Sequence, residues 1–139
     1  MMNHLYNNSG KKVATSKLAA QLHYECMGWA RLLEFFKLEN SALKTRLSEV
    51  LDMSSDKELL AQAEHFQNRF ILKDEFIDEI TRDVKHHQSQ INDTIQANEN
   101  PSEKLIRRQQ KLRNEIMYLE RNFTSVKHDF NKYLSAAIQ

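Results

Sequence analysis

Apolar side chains recur at alternating steps of four and three along three stretches of this chain. The first stretch runs through Leu22, Cys26, Trp29, Leu33, Phe36, Asn40, Leu43, Leu47 and Val50. The second runs through Leu59, Ala63, Phe66, Phe70, Lys73, Ile77, Ile80, Val84, His87 and Ile91. The third takes Leu105, Gln109, Leu112, Ile116, Leu119, Phe123, Val126, Phe130, Tyr133 and Ala137. A repeat of about 3.5 residues, held over several heptads, keeps one stripe of each helix turned toward its neighbours. Three such stripes predict three mutually packed helices.

The interruptions agree with the stripes. Continuing the first rhythm would place apolar residues at 54, 57 and 61, but they fall at Leu59 and Ala63. Inside that gap lies SDKE, a capping box in which Ser55 bonds the third helical amide and Glu58 reaches back. The second interruption is NPSE, with Asn100 suited to the N-cap, Pro101 to the first helical position and Glu103 to the capping-box acid. Thr15 or Ser16 can cap the first helix. The spacing therefore predicts helices near 16–52, 56–98 and 101–137, preceded by a flexible or loosely packed tail over 1–15. Short turns force consecutive helices antiparallel. The expected fold is all-α: an elongated antiparallel three-helix coiled-coil bundle spanning 16–139. In layout it resembles spectrin-type bundles, a likeness of architecture that implies no function.

Such hairpins allow layers to be estimated. Residue i lies level with about 108 − i around the first turn and about 200 − i around the second, to within roughly one helical turn. Phe70 then meets Phe130, Phe66 meets Tyr133 and Leu134, and Phe36 comes near Phe70, making one end aromatic. At the other end the first helix starts opposite residue 91, leaving the hairpin tip, 92–108, with two helices. Thr94, Asn98 and Gln109 weaken the seam there. Ile91, Ile95, Leu105 and Ile106 need cover, either from Leu5, Tyr6 and Val13 of the tail or from another molecule.

Composition narrows the compartment and the partners. The 139 residues include two glycines and one proline, too few for a sheet with many turns. Charged residues make up 28% and net charge is +1, neither for nor against a nucleic-acid partner. Met1–Lys17 holds three lysines and no acids, and no apolar run of signal-peptide length. The 54–98 segment carries five bases and nine acids, whereas 99–139 carries eight and five, as two segments that pack together would. No apolar stretch is long enough to span a membrane. One cysteine, Cys26, rules out an internal disulfide framework and suits a reducing cytoplasm.

Candidate chemistry is sparse. TRDVKHHQSQI, residues 81–91, sets Asp83 three and four residues before His86 and His87. His23 falls level with residue 85, and Glu115 is close in level. His23, Asp83, His87 and Glu115 thus form a candidate metal set drawn from three helices. His86 and His87 point about 100° apart, so both cannot face the core. The plainer alternative is that His87 reaches the surface or pairs with Asp83, and that an apolar residue in its place would complete the seam. Lys73, Asn40 and Gln109 are the other polar seam residues, of the kind that fixes register; Lys73 can snorkel its amine outward. Trp29 and Cys26 suit the core.

EKLIRRQQKLR, residues 103–113, gathers Lys104, Arg107, Arg108 and Lys111 on one face, with Lys11, Lys12 and Lys17 in the tail. That face fits phosphate or an acidic protein, but without interleaved aromatics it does not stack on single-stranded bases. Asp74, Glu75, Asp78 and Glu79 form an acidic counterpart offset by roughly 20 Å, a pattern that two copies could satisfy mutually. There is no phosphate loop, Gly-x-Ser-x-Gly, Cys-x-x-Cys or His-Glu-x-x-His. The expectation is a non-enzymatic, cofactor-free helical interaction protein, a scaffold, adaptor or assembly factor. It would bind a protein partner or a second copy through its helix faces and the tip, at Ile95, Lys104, Ile106, Arg107, Arg108 and Lys111. The alternatives are a metal- or small-ligand-binding bundle and a nucleic-acid-associated coiled coil.

Overall fold

The computed structural model describes the backbone of residues 2–138 and the side chains of 17–137. Three helices follow one another: α1 (Met2–Met53), α2 (Lys57–Gln96) and α3 (Glu103–Ile138), with no strand among the described residues. Each stripe is buried where the four-three rhythm places it, from Cys26 to Leu47, from Ala63 to Ile91 and from Gln109 to Tyr133. Only stripe ends such as Leu22, Val50, Leu59, Leu105 and Ala137 are half-buried. The protein is a three-helix bundle.

The helix ends differ from expectation in instructive ways. Asp56, not Ser55, caps α2: its carboxylate accepts from the Glu58 amide at 2.9 Å, while Ser54 Oγ accepts from the Asp56 amide. Asp and Ser cap about equally well, but a carboxylate also complements the positive end of the helix dipole. At α3 the cap is Ser102, whose Oγ accepts from the Leu105 amide and whose carbonyl accepts from Ile106; Asn100 and Pro101 stand before the helix. The α2 terminus is a Schellman turn rather than a seam position. Asn98 has φ 57°, its amide bonds the Ile95 carbonyl and the Glu99 amide bonds the Thr94 carbonyl. Asn takes the left-handed conformation more readily than other non-glycine residues.

α1 starts at Met2 rather than near residue 16, so it does not stop opposite residue 91. Leu22 lies level with Gln109 and buried Ala19 continues the stripe toward the tip, and the expectation that 92–108 would have only two helices does not hold. At 52 residues it is about 78 Å long against about 60 Å for α2. The expected loose packing of 1–15 concerns side chains outside the described residues.

Cross-helix contacts fix the layers. Phe70 and Phe130 meet edge to face at 5.1 Å, and Phe66 meets Phe130 and Tyr133 at 5.3 and 5.2 Å. Tyr133 also donates its hydroxyl to the Leu59 carbonyl. Phe36, however, packs on Phe123 at 5.0 Å, about five residues from where the two turn estimates together put it. Each estimate errs by a few residues, and the errors add between the first and third helices.

The aromatic end should therefore dominate stability. Phe70 is fully buried among rings from two helices. Phe70→Ala should cost about 3–5 kcal/mol by chemical denaturation, through lost transfer energy and the cavity left behind. A loss below about 1 kcal/mol would show that the end can collapse around the gap.

Candidate functional site

The largest polar feature of the interior is a layer at the level of His87 and Gln109, both buried on their seams. Gln109 on α3 joins all three helices. Its Nε2 donates to the Leu22 carbonyl at 3.1 Å and to Glu25 Oε1 at 2.7 Å on α1, and its Oε1 meets His87 Nε2 of α2 at 2.6 Å. Cys26 adds a weak thiol contact to the same oxygen at 3.7 Å. At the rim Arg113 grips Glu25 with Nε at 2.9 Å and Nη2 at 2.7 Å, a two-toothed charge-assisted pair.

This geometry sets the His87 tautomer. Two pure acceptors hold the Gln109 amide nitrogen, so its oxygen faces the ring and His87 Nε2 carries the proton. Nδ1 is then a buried acceptor that lacks a donor. Burial lowers the His87 pKa from its ordinary value; the charges of Arg108 and His86 act in the same sense, and the Gln109 hydrogen bond opposes them. The ring stays neutral at pH 7. Glu25 is held below the usual carboxylate value, chiefly by its hydrogen bond to Arg113. Burial pushes the Cys26 thiol up to about 11, which leaves it a protonated, unreactive core side chain at neutral pH.

The sequence candidates for a metal site divide between core and surface. His87 neither reaches the surface nor pairs with Asp83; its partner is Gln109. Asp83 and Glu115 line an open groove of about 450 Å³ with His86, Leu112 and the cationic Arg107, Arg108 and Lys111. Burial raises the Glu115 pKa, opposed by Lys111 and reinforced by Asp83 and Glu79. His23 is half-buried on α1 with its Nδ1 unpaired. Among the described residues, no group of three or more His, Cys, Asp or Glu is placed to hold a metal ion.

A second polar layer lies toward the aromatic end. Asn40 donates to the Phe70 carbonyl at 2.9 Å and to Asp74 at 2.8 Å. Lys44 pairs with Asp74, and Lys37 pairs with Asp78 at 2.8 Å. Burial pushes the Asp74 carboxyl up, but the bonds from Lys44 and Asn40 and the nearby lysine charges outweigh it and hold it below its ordinary value. Part of the acidic patch is thus matched by α1 within one chain; Glu75 and Glu79 stay exposed. Lys73 is buried on the seam, and burial, aided by Arg69, lowers its pKa to about 8.

The interaction candidates sit at the tip. Lys104 and Arg107 are exposed, Ile106 is 44% exposed, and Ile95 is half-buried against the core. Arg108 donates to Gln90 at 2.6 Å, Arg107 lies 3.6 Å from Glu103 and Lys111 lies 3.9 Å from Glu115. Sequence reasoning missed Glu25 and Arg113. The available signal was opposite charge beside the seam at the level of two polar seam residues. Together the bundle and its two polar layers define a helical rod whose interior polar groups serve mainly to join helices. Comparison with protein-family models, curated proteins and solved structures finds no match.

Two outcomes test the interior. At pH 7 His87→Leu should cost about 1–2 kcal/mol, because Gln109 Oε1 loses its main donor while an unpaired Nδ1 is also removed. Gln109→Leu combined with it should cost less than the two single changes together; strict additivity would deny the link. Acid should expose the same group. Its native pKa lies below the unfolded value, so its contribution is present above about 6.5 and is lost as pH falls toward the native pKa. The His87→Leu melting temperature should therefore fall less between pH 7 and 5 than that of the native chain.

Lys73 has the opposite consequence. A lysine with a depressed native pKa disfavours folding most when both states are charged, and this penalty fades as pH rises from about 8 toward the unfolded value. Lys73→Met should raise stability by about 1–3 kcal/mol at pH 7, and the gain should shrink by pH 10. A destabilised variant would mean that the amine makes a contact worth more than its burial costs.

Proposed function

We propose that this protein is a non-enzymatic helical interaction protein, a scaffold, adaptor or assembly factor that works through its outer helix faces and the 92–108 tip. The observation that carries the reading is the surface. Large apolar side chains stand exposed along the helices, Ile106 among them at the tip, beside Lys104 and Arg107. Exposed apolar positions next to exposed basic ones are what a protein-binding face requires. The polar interior supports the same reading, because His87, Gln109, Asn40 and Asp74 are engaged in holding helices together. No helix among the described residues is long and apolar enough to cross a membrane. A buried, protonated Cys26 fits a cytoplasmic setting.

The test is local. Amides over 92–108 should exchange faster than those around Phe66, Phe70 and Phe130 in the isolated chain, and should slow when the partner from the native cell is added. Replacing Ile95 and Ile106 with polar residues should remove that protection while leaving helicity nearly intact. Tip amides already as protected as the aromatic end would sink the role of the tip, and one equivalent of tightly held metal would replace the reading altogether.

A further inference from the structure

α1 is apolar on two faces. The inner stripe, centred on Leu33, builds the core. On the opposite side, Ala20, Tyr24, Met27, Arg31, Phe35, Leu38 and Ala42 repeat at steps of three and four, and all seven are exposed. At about 100° per residue they fall within an arc of about 80°. Tyr24 is 73% exposed, Leu38 65%, Phe35 52% and Met27 38%. Scattered exposed apolar residues need no explanation, but a straight row built from two eleven-residue spans, 20–31 and 31–42, is the pattern of a helix seam without its partner.

Three observations say what covers it. The row is symmetric about Arg31: counting outward gives Met27 and Phe35, then Tyr24 and Leu38, then Ala20 and Ala42, so large meets large and small meets small when two copies run in opposite directions. A two-fold interface demands this self-complementarity; an unrelated partner does not. Charge is matched on either side of the centre. The two Arg31 side chains meet at the two-fold axis, a like-charge contact, but each also lies one turn from the other copy's Glu34. Neither residue makes an ion pair within the described residues, so two reciprocal Arg31–Glu34 pairs offset that repulsion. Gly28 is the third. Glycine is a poor residue in the middle of a 52-residue helix, and a Cβ added there meets nothing within 4 Å, so the single chain does not need it. In the antiparallel pair Gly28 falls level with residues 34–35 of the other copy, where it leaves room for the Phe35 ring.

We propose that the outer face of α1 pairs with the same face of a second copy, antiparallel and centred on Arg31. This deepens the reading of helix faces as the working surface, and rests on it. The row buries roughly 500 Å² per copy, about 1,000 Å² in all, at the lower limit for a specific interface. The dimer is therefore concentration-dependent rather than permanent.

Sedimentation of the 139-residue chain should show mass rising from one copy toward two over the micromolar range. Phe35→Glu should weaken pairing by about tenfold or more with helicity and melting of the monomer little changed. Gly28→Leu should weaken it similarly while raising the monomer's melting temperature, because leucine is the better helix former. Orientation can be read by mild oxidation, since buried Cys26 stays out of the reaction. Arg31→Cys should cross-link to itself; Tyr24→Cys should not, but should cross-link to Leu38→Cys when the two are mixed. A chain that stays monomeric at hundreds of micromolar overturns the proposal. So does a dimer that survives Phe35→Glu and is lost with Tyr118→Glu on the opposite side of the bundle. Equal self-cross-linking at 24 and 31 would mean parallel pairing and overturn the geometry. If the chain is monomeric yet still captures a partner through Ile106, only the dimer fails; loss of both removes the wider reading.

Discussion

One amide sets the register of this bundle. Apolar seams tolerate a slide of a whole heptad, because leucine meets phenylalanine about as well as it meets isoleucine. Gln109 does not tolerate it. Its nitrogen must find Leu22 and Glu25 and its oxygen must find His87, on two other helices at one level. A slide would leave several of these groups buried without partners, each costing on the order of 1–3 kcal/mol. Asn40 repeats the device nearer the aromatic end. Everything the surface presents follows from this register, including the residues of α1 that face outward.

The arrangement favours specificity over maximal stability. His87 Nδ1 and Asn40 Oδ1 are buried without partners, and Lys73 is drawn into a seam that would pack better with a methionine. An interior of leucine throughout would be stickier and less defined. Polar layers narrow the choice to one alignment. The aromatic cluster of Phe66, Phe70, Phe130 and Tyr133 supplies the compensating strength at one end.

The architecture was legible because it rests on periodicity. A four-three rhythm specifies which side of a helix is buried, and a short polar gap specifies a turn; both survive without knowledge of partners. The level of His87 was legible to about one turn, since chain length at a constant rise per residue fixes it. Gln109, however, expected to weaken the tip seam, belongs to that layer and joins all three helices. Partners within that level were not legible. Whether His87 turns to Asp83 or to Gln109 depends on side-chain direction, which differs by a fraction of a turn and lies outside the pattern. Helix caps failed for a related reason: Ser54, Ser55 and Asp56 are all competent, and the backbone path selects among them. The outer row of α1 is visible as residues but is masked by the stronger inner stripe, which contains the larger and more numerous apolar side chains.

Shape joins the two surfaces. Arg31 lies roughly level with residue 80 of α2, about 25 Å along the rod from the tip. An antiparallel pair centred there would carry its two tips at opposite ends, roughly 50 Å apart, each free of the pairing face. A partner with two binding sites at that spacing would engage both tips, and its second contact would form at an effective concentration far above that in solution. A partner with one site would gain nothing from the pairing. Weak self-association through α1 would then act as a selector for extended or repeated partners.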